Sequence, residues 1–160
     1  MTVEEYLHTS FENPDPEFRD GELLERNSCD SAFSETCVKL IFFFAHKGRF
    51  PRLHCRPSLR LKLRDNHYRV PDLCVFSPDE PTELIPSTPP LIVIEILSPG
   101  DRIEELASKL VEFRRWGVTH AWLVDPDSRR MYAYGSELEE RLTLGIPALN
   151  LELRAADIFE

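Results

Sequence analysis

Residues 91–97 read Leu-Ile-Val-Ile-Glu-Ile-Leu, a run that is apolar except for Glu95. A short run that is apolar on both faces is typical of a central strand covered by helices. A carboxylate buried in such a strand is costly unless a positive charge pairs with it. Glu95 therefore predicts a cation close to the strand, for which a divalent metal ion and a buried arginine are the two alternatives.

A second acid, Asp72, stands near the start of another apolar stretch, residues 70–76, which read Val-Pro-Asp-Leu-Cys-Val-Phe. The connection to the Glu95 strand, residues 77–90, contains five prolines and is predicted to be a loop. Without a crossover helix the two strands lie antiparallel or side by side, which brings the carboxylates together. Such a pair suits one Mg²⁺ or Mn²⁺, since hard cations prefer carboxylate oxygens and water. Taken alone, Asp72 is equally well explained as an acid that caps the backbone turn after Pro71.

The stretch after the Glu95 strand predicts a helix from Ser98, or from Asp101, to Trp116. Ser-Pro is a frequent helix opening, and the glycine that follows Trp116 is a frequent helix end. An apolar stripe at helical spacing marks the buried face, and its members are Ile103, Leu106, Leu110 and Phe113. The stripe therefore fixes which side chains of this helix point away from the core.

Lys109 lies on this helix, about 80° from the centre of the apolar stripe. A lysine at this angle can bury its stem and bring its ammonium to the edge of the sheet. There it can stabilise negative charge that develops on a phosphorus atom, or position an attacking water. The alternative is a surface lysine that pairs with Glu105 or Glu112.

The remaining patterns predict further helices and strands along the chain. Residues 18–24 form a hairpin around an Asp-Gly turn, and a helix capped by Asp30 or Ser31 runs to Lys47. Other strands are predicted at 59–64, 121–124 and 131–134. This order predicts an α/β fold with a mixed central sheet, in one domain that spans residues 1–160.

Composition excludes several classes of protein. The hydrophobic fraction of 42% fits a globular chain rather than a disordered one. The four cysteines form no CxxC pair, so a zinc site is not expected. The sequence contains neither a recognisable secretory signal nor an apolar run that could span a membrane, which predicts a cytoplasmic protein.

Basic residues concentrate in residues 47–69, which hold eight arginines or lysines against one acid. This segment has a charge of +7 in a chain whose net charge is −9. It is either a phosphate-binding strip or the solvated face of a hairpin, and the sequence favours neither interpretation.

Several stretches, in their order and spacing, resemble the PD-(D/E)xK nuclease superfamily and, more narrowly, the Uma-type family of candidate bacterial restriction endonucleases. The pair formed by Pro71-Asp72 and Glu95 carries the superfamily signature. The matching stretches lie between about residues 3 and 135; they are Asp20-Gly21-Glu22-Leu23, Val70-Pro71-Asp72-Leu73, Ile94-Glu95-Ile96-Leu97-Ser98-Pro99, Lys109 ahead of Gly117-Val118, and Ala121-Trp122-Leu123-Val124-Asp125-Pro126.

The resemblance implies a restriction-endonuclease-like core, in which a mixed central sheet has helices on both faces. It also implies hydrolysis of DNA with Mg²⁺ or Mn²⁺ held by Asp72, Glu95 and the Ile96 carbonyl. Lys109 is then the third catalytic side chain. The expected partner is DNA, no membrane association is expected, and a homodimer is compatible with the chain.

Two positions depart from the family pattern. The signature places a lysine two residues after the glutamate, where this chain has Leu97, and Lys109 takes its place. The family often has a histidine at the start of the first long helix, where this chain has Phe33. Weakened activity is expected if that histidine assists binding or catalysis. Glu22, in the early hairpin, is a candidate third acid.

Three functions are compatible with these residues. The first is a metal-dependent endonuclease that hydrolyses DNA. The second is a catalytically inactive module that kept the nuclease fold and binds nucleic acid or protein. The net negative charge of the chain and the two positions that differ from the family pattern are the reasons to consider it. The third is a metal hydrolase that acts on small phosphate esters.

Overall fold

The computed structural model of the chain describes residues 1–27, 29–49, 52–79 and 81–160. Its helices and strands, numbered in chain order, are α1 (Val3–His8), β1 (Glu17–Arg19), β2 (Glu22–Leu24), α2 (Ser31–Lys47), β3 (His54–Pro57), β4 (Leu61–Arg64), β5 (His67–Arg69), β6 (Leu73–Phe76), β7 (Ile92–Ile96), α3 (Ile103–Trp116), β8 (His120–Asp125), β9 (Arg130–Tyr134), β10 (Leu138–Arg141), β11 (Thr143–Ile146), β12 (Leu151–Arg154) and α4 (Ala155–Phe159). The loop predicted at residues 77–90 joins β6 to β7, with residue 80 outside the described ranges. Within these ranges, no helix is long and apolar enough to cross a lipid bilayer.

A six-stranded mixed sheet forms the centre of the fold, in the order β10-β9-β8-β7-β6-β3. The β7–β8 pair is parallel, and the other neighbouring pairs are antiparallel. The parallel pair is joined by α3, as a crossover connection requires, whereas β6 and β7 are joined by the proline-rich loop. Of the two arrangements predicted for the Asp72 and Glu95 strands, the structure has the antiparallel one.

Helices cover both faces of this sheet. α2 packs through Leu40 on the face that includes Ile94. α3 packs through Leu110 and Phe113 on the opposite face, which includes Val93. Alternate residues of β7 therefore point into two separate cores, as expected for a strand that is apolar on both sides. The predicted α/β class, with helices on both faces of a mixed sheet, is confirmed.

A second sheet has four antiparallel strands, in the order β2-β1-β5-β4. Asp20 and Gly21 form the β1–β2 turn with φ values of 50° and 93°, the left-handed conformations expected of an Asp-Gly hairpin. α1 packs against this sheet in an aromatic corner, which comprises Tyr6, Phe11, Phe18 and Tyr68. The sequence predicted the hairpin but not a separate sheet.

The strand predicted to carry Asp72 is interrupted. The apolar stretch at residues 70–76 is not one continuous strand, because β5 ends at Arg69 and β6 begins only at Leu73, in a different sheet. Pro71 lies in the break, and proline has no N–H with which to continue a hydrogen-bonded ladder. The chain therefore changes sheets at residues 70–72, and Asp72 lies at the junction of the two sheets.

α3 begins later than predicted. The N–H and the hydroxyl of Ser98 both donate to Asp101 Oδ2 at 2.8 Å, and Gly100 has a left-handed φ of 88°. Because Ser98 and Asp101 are used in this turn, neither caps the helix, which begins at Ile103 without a side-chain cap. The predicted end at Trp116 is confirmed.

Candidate functional site

A pocket of about 470 Å³ opens where the two sheets meet, and its lining includes the three predicted catalytic side chains, Asp72, Glu95 and Lys109. Its lining includes six carboxylates and four cations, so its formal charge is −2 when all are ionised. These residues are Glu17, Glu25, Asp72, Glu95, Asp101 and Glu105, with Arg19, Arg26, Arg69 and Lys109.

Asp72 and Glu95 face each other across adjacent antiparallel strands. β6 pairs with β7 in the register Leu73↔Ile94, so the next opposed pair along the strands is Asp72 and Glu95. Opposed residues of an antiparallel pair lie on the same face of the sheet. Asp72 is 8% exposed and Glu95 is 1% exposed. The fold therefore brings both predicted acids to one buried wall of the pocket.

Both carboxylate oxygens of Asp72 have partners. The Ile96 N–H donates to Oδ2 at 2.8 Å, and Arg26 Nη2 donates to Oδ1 at 2.8 Å. The Arg26 side chain is only 11% exposed, so this ion pair is largely buried. A buried arginine is therefore present at the site, although it contacts Asp72 rather than Glu95.

Lys109 brings its ammonium to the Glu95 carboxylate. Its Nζ lies 2.8 Å from Glu95 Oε1 and 2.6 Å from Glu17 Oε1. The same nitrogen donates to the Val70 carbonyl at 2.9 Å, and the residue is 7% exposed. The interpretation of Lys109 as a surface lysine is wrong, because its ammonium is buried between two carboxylates.

Glu17 is a pocket residue that sequence reasoning missed. It opens β1, and its Oε1 accepts the Val70 N–H at 2.9 Å while its Oε2 accepts Arg69 Nη1 at 2.7 Å. The candidate third acid, Glu22, is exposed on β2 and does not line the pocket. The inward direction of Glu17 follows from the pairing of β1 with β5, which no local sequence pattern predicts.

The ion pairs continue from Glu17 along the junction of the sheets. Arg69 Nε donates to Glu112 Oε2 at 2.8 Å, and His67 Nε2 lies 3.2 Å from the same oxygen. Burial lowers the pKa of His67, and among the described residues its Nδ1 has no hydrogen-bond partner. These ion pairs connect α3 to the four-stranded sheet and stabilise the wall of the pocket.

Glu17 and Glu95 respond to burial in opposite ways. Burial raises the pKa of Glu17, but Lys109 and Arg69 outweigh it and bring that pKa to about 2. Burial raises the pKa of Glu95 well above its usual value, and repulsion from Asp72 adds to the rise, which Lys109 only partly offsets. Burial lowers the pKa of Lys109, but the two glutamates outweigh it and raise it. Lys109 is therefore a fixed cation at neutral pH, whereas Glu95 binds a proton more readily than an ordinary glutamate.

The oxygen atoms of this pair fit a divalent cation. Glu95 Oε1 is a buried acceptor whose contact with Lys109 has the distance of an ion pair but not the geometry of a hydrogen bond. Its raised pKa reflects burial close to a second carboxylate, which an additional positive charge would relieve. Carboxylate oxygens are also the ligands that Mg²⁺ prefers. Arg26 already contacts Asp72 Oδ1, so an ion at that oxygen would be close to a guanidinium.

A metal here would rely on few side chains. In the described part of the chain, no three histidine, cysteine, aspartate or glutamate side chains are arranged to hold a metal ion together. The ligand set implied by the family resemblance is smaller, with Asp72, Glu95 and one backbone carbonyl. Ile96 is buried beside both acids and uses its N–H on Asp72, and its carbonyl stays a predicted ligand.

The two positions that depart from the family pattern occupy different places. Phe33 lies in the first turn of α2 and lines the pocket, so an aromatic ring stands where a histidine was expected. Leu97 does not line this pocket, and its N–H donates to the Val124 carbonyl at 2.9 Å. The ammonium near Glu95 comes from Lys109 on α3 instead.

The basic segment at residues 47–69 does not form one continuous surface. Its second half pairs with acids; the ion pairs are Arg60–Asp15, Lys62–Asp65, Arg64–Asp20 and Arg69–Glu17. In its first half, Arg49, Arg52 and Arg56 line a separate cavity of about 350 Å³ beside β3. Residues 50 and 51 lie outside the described ranges. The basic residues of the segment are therefore divided between ion pairs in its second half and a cavity beside β3 in its first half.

Two comparisons with known proteins bear on this site. Residues 3–158 match the model of the Uma2 family, which is described as "Putative restriction endonuclease". A crystal structure from Anabaena variabilis, described as a putative nuclease belonging to DUF820, is similar with a TM-score of 0.83 and 20% identity, and the match covers 99% of this chain and 97% of that one. At this identity the likeness establishes the fold alone. No curated protein matches the chain.

Proposed function

Because the chain belongs to the Uma2 family, we propose that it is a metal-dependent endonuclease that hydrolyses phosphodiester bonds in DNA. The observation that carries the proposal is the Asp72–Glu95 pair, two buried carboxylates of which one lies on β7 and the other immediately before the neighbouring strand β6. The Lys109 ammonium stands 2.8 Å from the second of them. Two hard acidic ligands beside one fixed cation suit an ion that binds and activates an anionic substrate.

Asp72 and Glu95 are proposed to hold the cation, with the Ile96 carbonyl as a further oxygen. When bound, Mg²⁺ or Mn²⁺ polarises the phosphate and makes a bound water more acidic. The Ile96 N–H donates to Asp72 Oδ2 and so orients this carboxylate, which would hold the cation together with Glu95. The backbone of β7 thus orients one ligand while its side chain at position 95 provides the other.

Lys109 is proposed to contribute a fixed positive charge rather than a proton acceptor. Its pKa is raised, so it stays protonated at neutral pH and can donate to a phosphate oxygen or to the attacking water. Glu17 holds the ammonium from the other side at 2.6 Å. Glu17 is therefore a positioning residue, because it acts through Lys109.

DNA is proposed as the substrate on the strength of the family description. The lining of the pocket is net negative, so a phosphate group enters it favourably only together with a cation. The basic group of Arg49, Arg52 and Arg56 around β3 is proposed to contact the DNA backbone outside the pocket. Metal dependence and DNA binding are thus linked by the charge of the site.

The test is cleavage of a supercoiled plasmid and of a labelled linear duplex in the presence of Mg²⁺, Mn²⁺ or EDTA. The wild type is expected to cut DNA only with metal, and Glu95→Gln to lose about 10²–10³-fold in rate. Glu104→Gln is the matched control, because it makes the same charge change on the exposed face of α3. Its cleavage rate is expected to equal that of the wild type.

Equal background nicking by the wild type and Glu95→Gln would reject the enzymatic proposal. A chromogenic phosphodiester is assayed in parallel with the DNA, in order to distinguish the nuclease from a metal hydrolase that acts on small phosphate esters. Metal-dependent hydrolysis of that small ester without cleavage of DNA would identify a phosphate-ester hydrolase instead.

A catalytically inactive binding module is the second candidate, and the Arg26–Asp72 ion pair favours it. Because the guanidinium already compensates Asp72, the fold does not depend on a metal ion at that position. A melting temperature that is unchanged by Mg²⁺ and Mn²⁺ would support this candidate, since a ligand bound only by the native state raises stability. A clear rise with metal would favour the nuclease.

A further inference from the structure

Arg26 makes the contact on Asp72 that a divalent cation needs. We propose that Arg26 is a resident counter-ion that competes with the divalent cation for Asp72, and so sets the metal concentration at which the site fills. The inference rests on the proposed function, because it concerns the same two carboxylates. It assigns a role to a residue that neither the family signature nor the sequence pattern singled out.

The competition is for one oxygen atom. Asp72 Oδ2 accepts the Ile96 N–H at 2.8 Å, and Oδ1 accepts Arg26 Nη2 at 2.8 Å. Mg²⁺ binds carboxylate oxygens at about 2.1 Å. An ion on Oδ1 would therefore stand within a few ångströms of the guanidinium, and the two like charges would repel each other strongly in this buried setting. This repulsion makes the ion and Arg26 competitors for Oδ1.

The pocket can keep Arg26 after the exchange. Acids outnumber cations in the described part of the lining, so a divalent ion can bind there with all four cations still present. Carboxylates other than Asp72 line the same space and can accept the displaced guanidinium. The exchange therefore changes the partner of Arg26 without expelling its charge from the pocket.

Arg26 is also placed where its side chain can move. It lies in the segment between β2 and α2, outside any helix or strand. Its other nitrogen, Nη1, donates to the Asp15 carbonyl at 3.2 Å, and the neighbouring Asn27 donates to Asp101 Oδ1 at 2.6 Å. Release of the guanidinium breaks one ion pair and one long hydrogen bond, and it leaves the strand hydrogen bonds intact.

Arg60 provides a matched control for this role. Its side chain is 14% exposed and its Nε lies 3.1 Å from Asp15 Oδ2, so it is also a largely buried, paired arginine. It does not line the pocket. A change of Arg60 therefore tests the loss of a buried arginine without touching Asp72.

The experiment follows free Mn²⁺ by its EPR signal during titration of the full chain. The proteins compared are the wild type, Arg26→Gln, Arg26→Met and Arg60→Gln. Both Arg26 variants are expected to half-saturate at an Mn²⁺ concentration about tenfold lower than the wild type. Arg60→Gln is expected to match the wild type, and Glu95→Gln added to Arg26→Gln is expected to abolish binding.

The wild type gives a second readout that needs no folded variant. Mg²⁺ is titrated while the side-chain Nε–H signals of the arginines are followed by NMR. The Arg26 signal is expected to shift with the half-saturation of metal binding, because its guanidinium changes partner. The Arg60 signal is expected to stay in place.

Equal half-saturation of the wild type and the Arg26 variants, or an Arg26 signal that ignores Mg²⁺, would overturn the inference and leave the proposed function intact. If none of the proteins binds Mn²⁺, the inference and the metal-dependent function both fail. If Arg26→Gln gains affinity for Mn²⁺ but no protein cuts DNA, the inference holds and the nuclease proposal fails.

Discussion

The aromatic corner and the pocket each contain a buried arginine tied to Asp15, but the two arginines have opposite surroundings. In the corner, Arg60 lies 4.5 Å from the centre of the Tyr6 ring, and its other donors contact backbone carbonyls. In the pocket, Arg26 uses the Asp15 carbonyl for one nitrogen and the Asp72 carboxylate for the other.

This difference separates a structural region from an adaptable one. Apart from the Asp15 carboxylate, the partners of Arg60 are backbone carbonyls, which neither titrate nor bind a competing cation, and Asp15 does not line the pocket. A carboxylate can exchange one cation for another, so more than one arrangement of cations can compensate the carboxylates of the pocket. Changes in the corner are therefore expected to alter the free energy of unfolding, and changes in the pocket to alter metal binding and cleavage.

Lys109→Met should have the largest effect on the pocket. DNA cleavage is expected to fall by about 10²–10³-fold, because a fixed cation beside the reacting phosphate is lost. The free energy of unfolding should fall as well, since Glu17 and Glu95 lose a buried partner. Lys39→Met on α2 is the control and should leave cleavage unchanged. Cleavage by Lys109→Met at the wild-type rate would exclude Lys109 from catalysis.

Lowering the pH should have the second-largest effect, because it weakens the ion pairs of Glu17 and so lowers the free energy of unfolding. The pKa of Glu17 is about 2 in the folded chain against an ordinary value of 4.5, so its ionised form adds stability above pH 4.5. That contribution, about 3 kcal/mol, is lost as the pH falls through the folded-state pKa. Urea unfolding from neutral pH to about pH 3 should show a steeper loss for the wild type than for Glu17→Gln. Identical pH slopes for the two proteins would contradict the pairing with Lys109 and Arg69.

Arg60→Gln tests the comparison between the two regions by a change in the aromatic corner. It should lower the free energy of unfolding by about 1 kcal/mol, because a partly buried ion pair and several long hydrogen bonds to backbone carbonyls are lost. Its affinity for Mn²⁺ should not change, since Arg60 lies outside the pocket. Weaker Mn²⁺ binding by this variant would mean that the corner and the pocket are coupled, and the distinction between them would fail.

Phe33→His should have the smallest effect. An imidazole at this half-buried position can donate to a phosphate, so cleavage should rise by about tenfold at most. Loss of ring packing should lower the free energy of unfolding by about 1 kcal/mol. Phe42→His, exposed on the same helix, is the control and should change neither quantity. A fall in cleavage would show that the Phe33 ring itself is needed.

The parts of the site that lie inside regular elements were predictable from the sequence. The apolar run marked the strand of Glu95, and helical phase brought Lys109 to the flank of α3 that meets the sheet. Both inferences work because the periods of strands and helices fix the directions of side chains. The length and proline content of one loop predicted that the Asp72 and Glu95 strands lie antiparallel or side by side, and the structure has the antiparallel arrangement.

The cations and the acid that complete the pocket were not predictable in the same way. Arg26 lies in a connecting segment without periodicity, and Glu17 and Arg69 belong to the small sheet. Their approach to Asp72 and Lys109 depends on how the two sheets join, which no local pattern encodes.

Anomalous scattering from a crystal soaked in Mn²⁺ tests the site most directly. We predict a peak within coordination distance of both Asp72 and Glu95, with the Arg26 guanidinium moved off Asp72 Oδ1. The opposite result is an absence of any peak there at saturating Mn²⁺, with Arg26 Nη2 still 2.8 Å from Oδ1. That result would mean that the two carboxylates belong to a permanent ion-pair cluster and not to a metal centre.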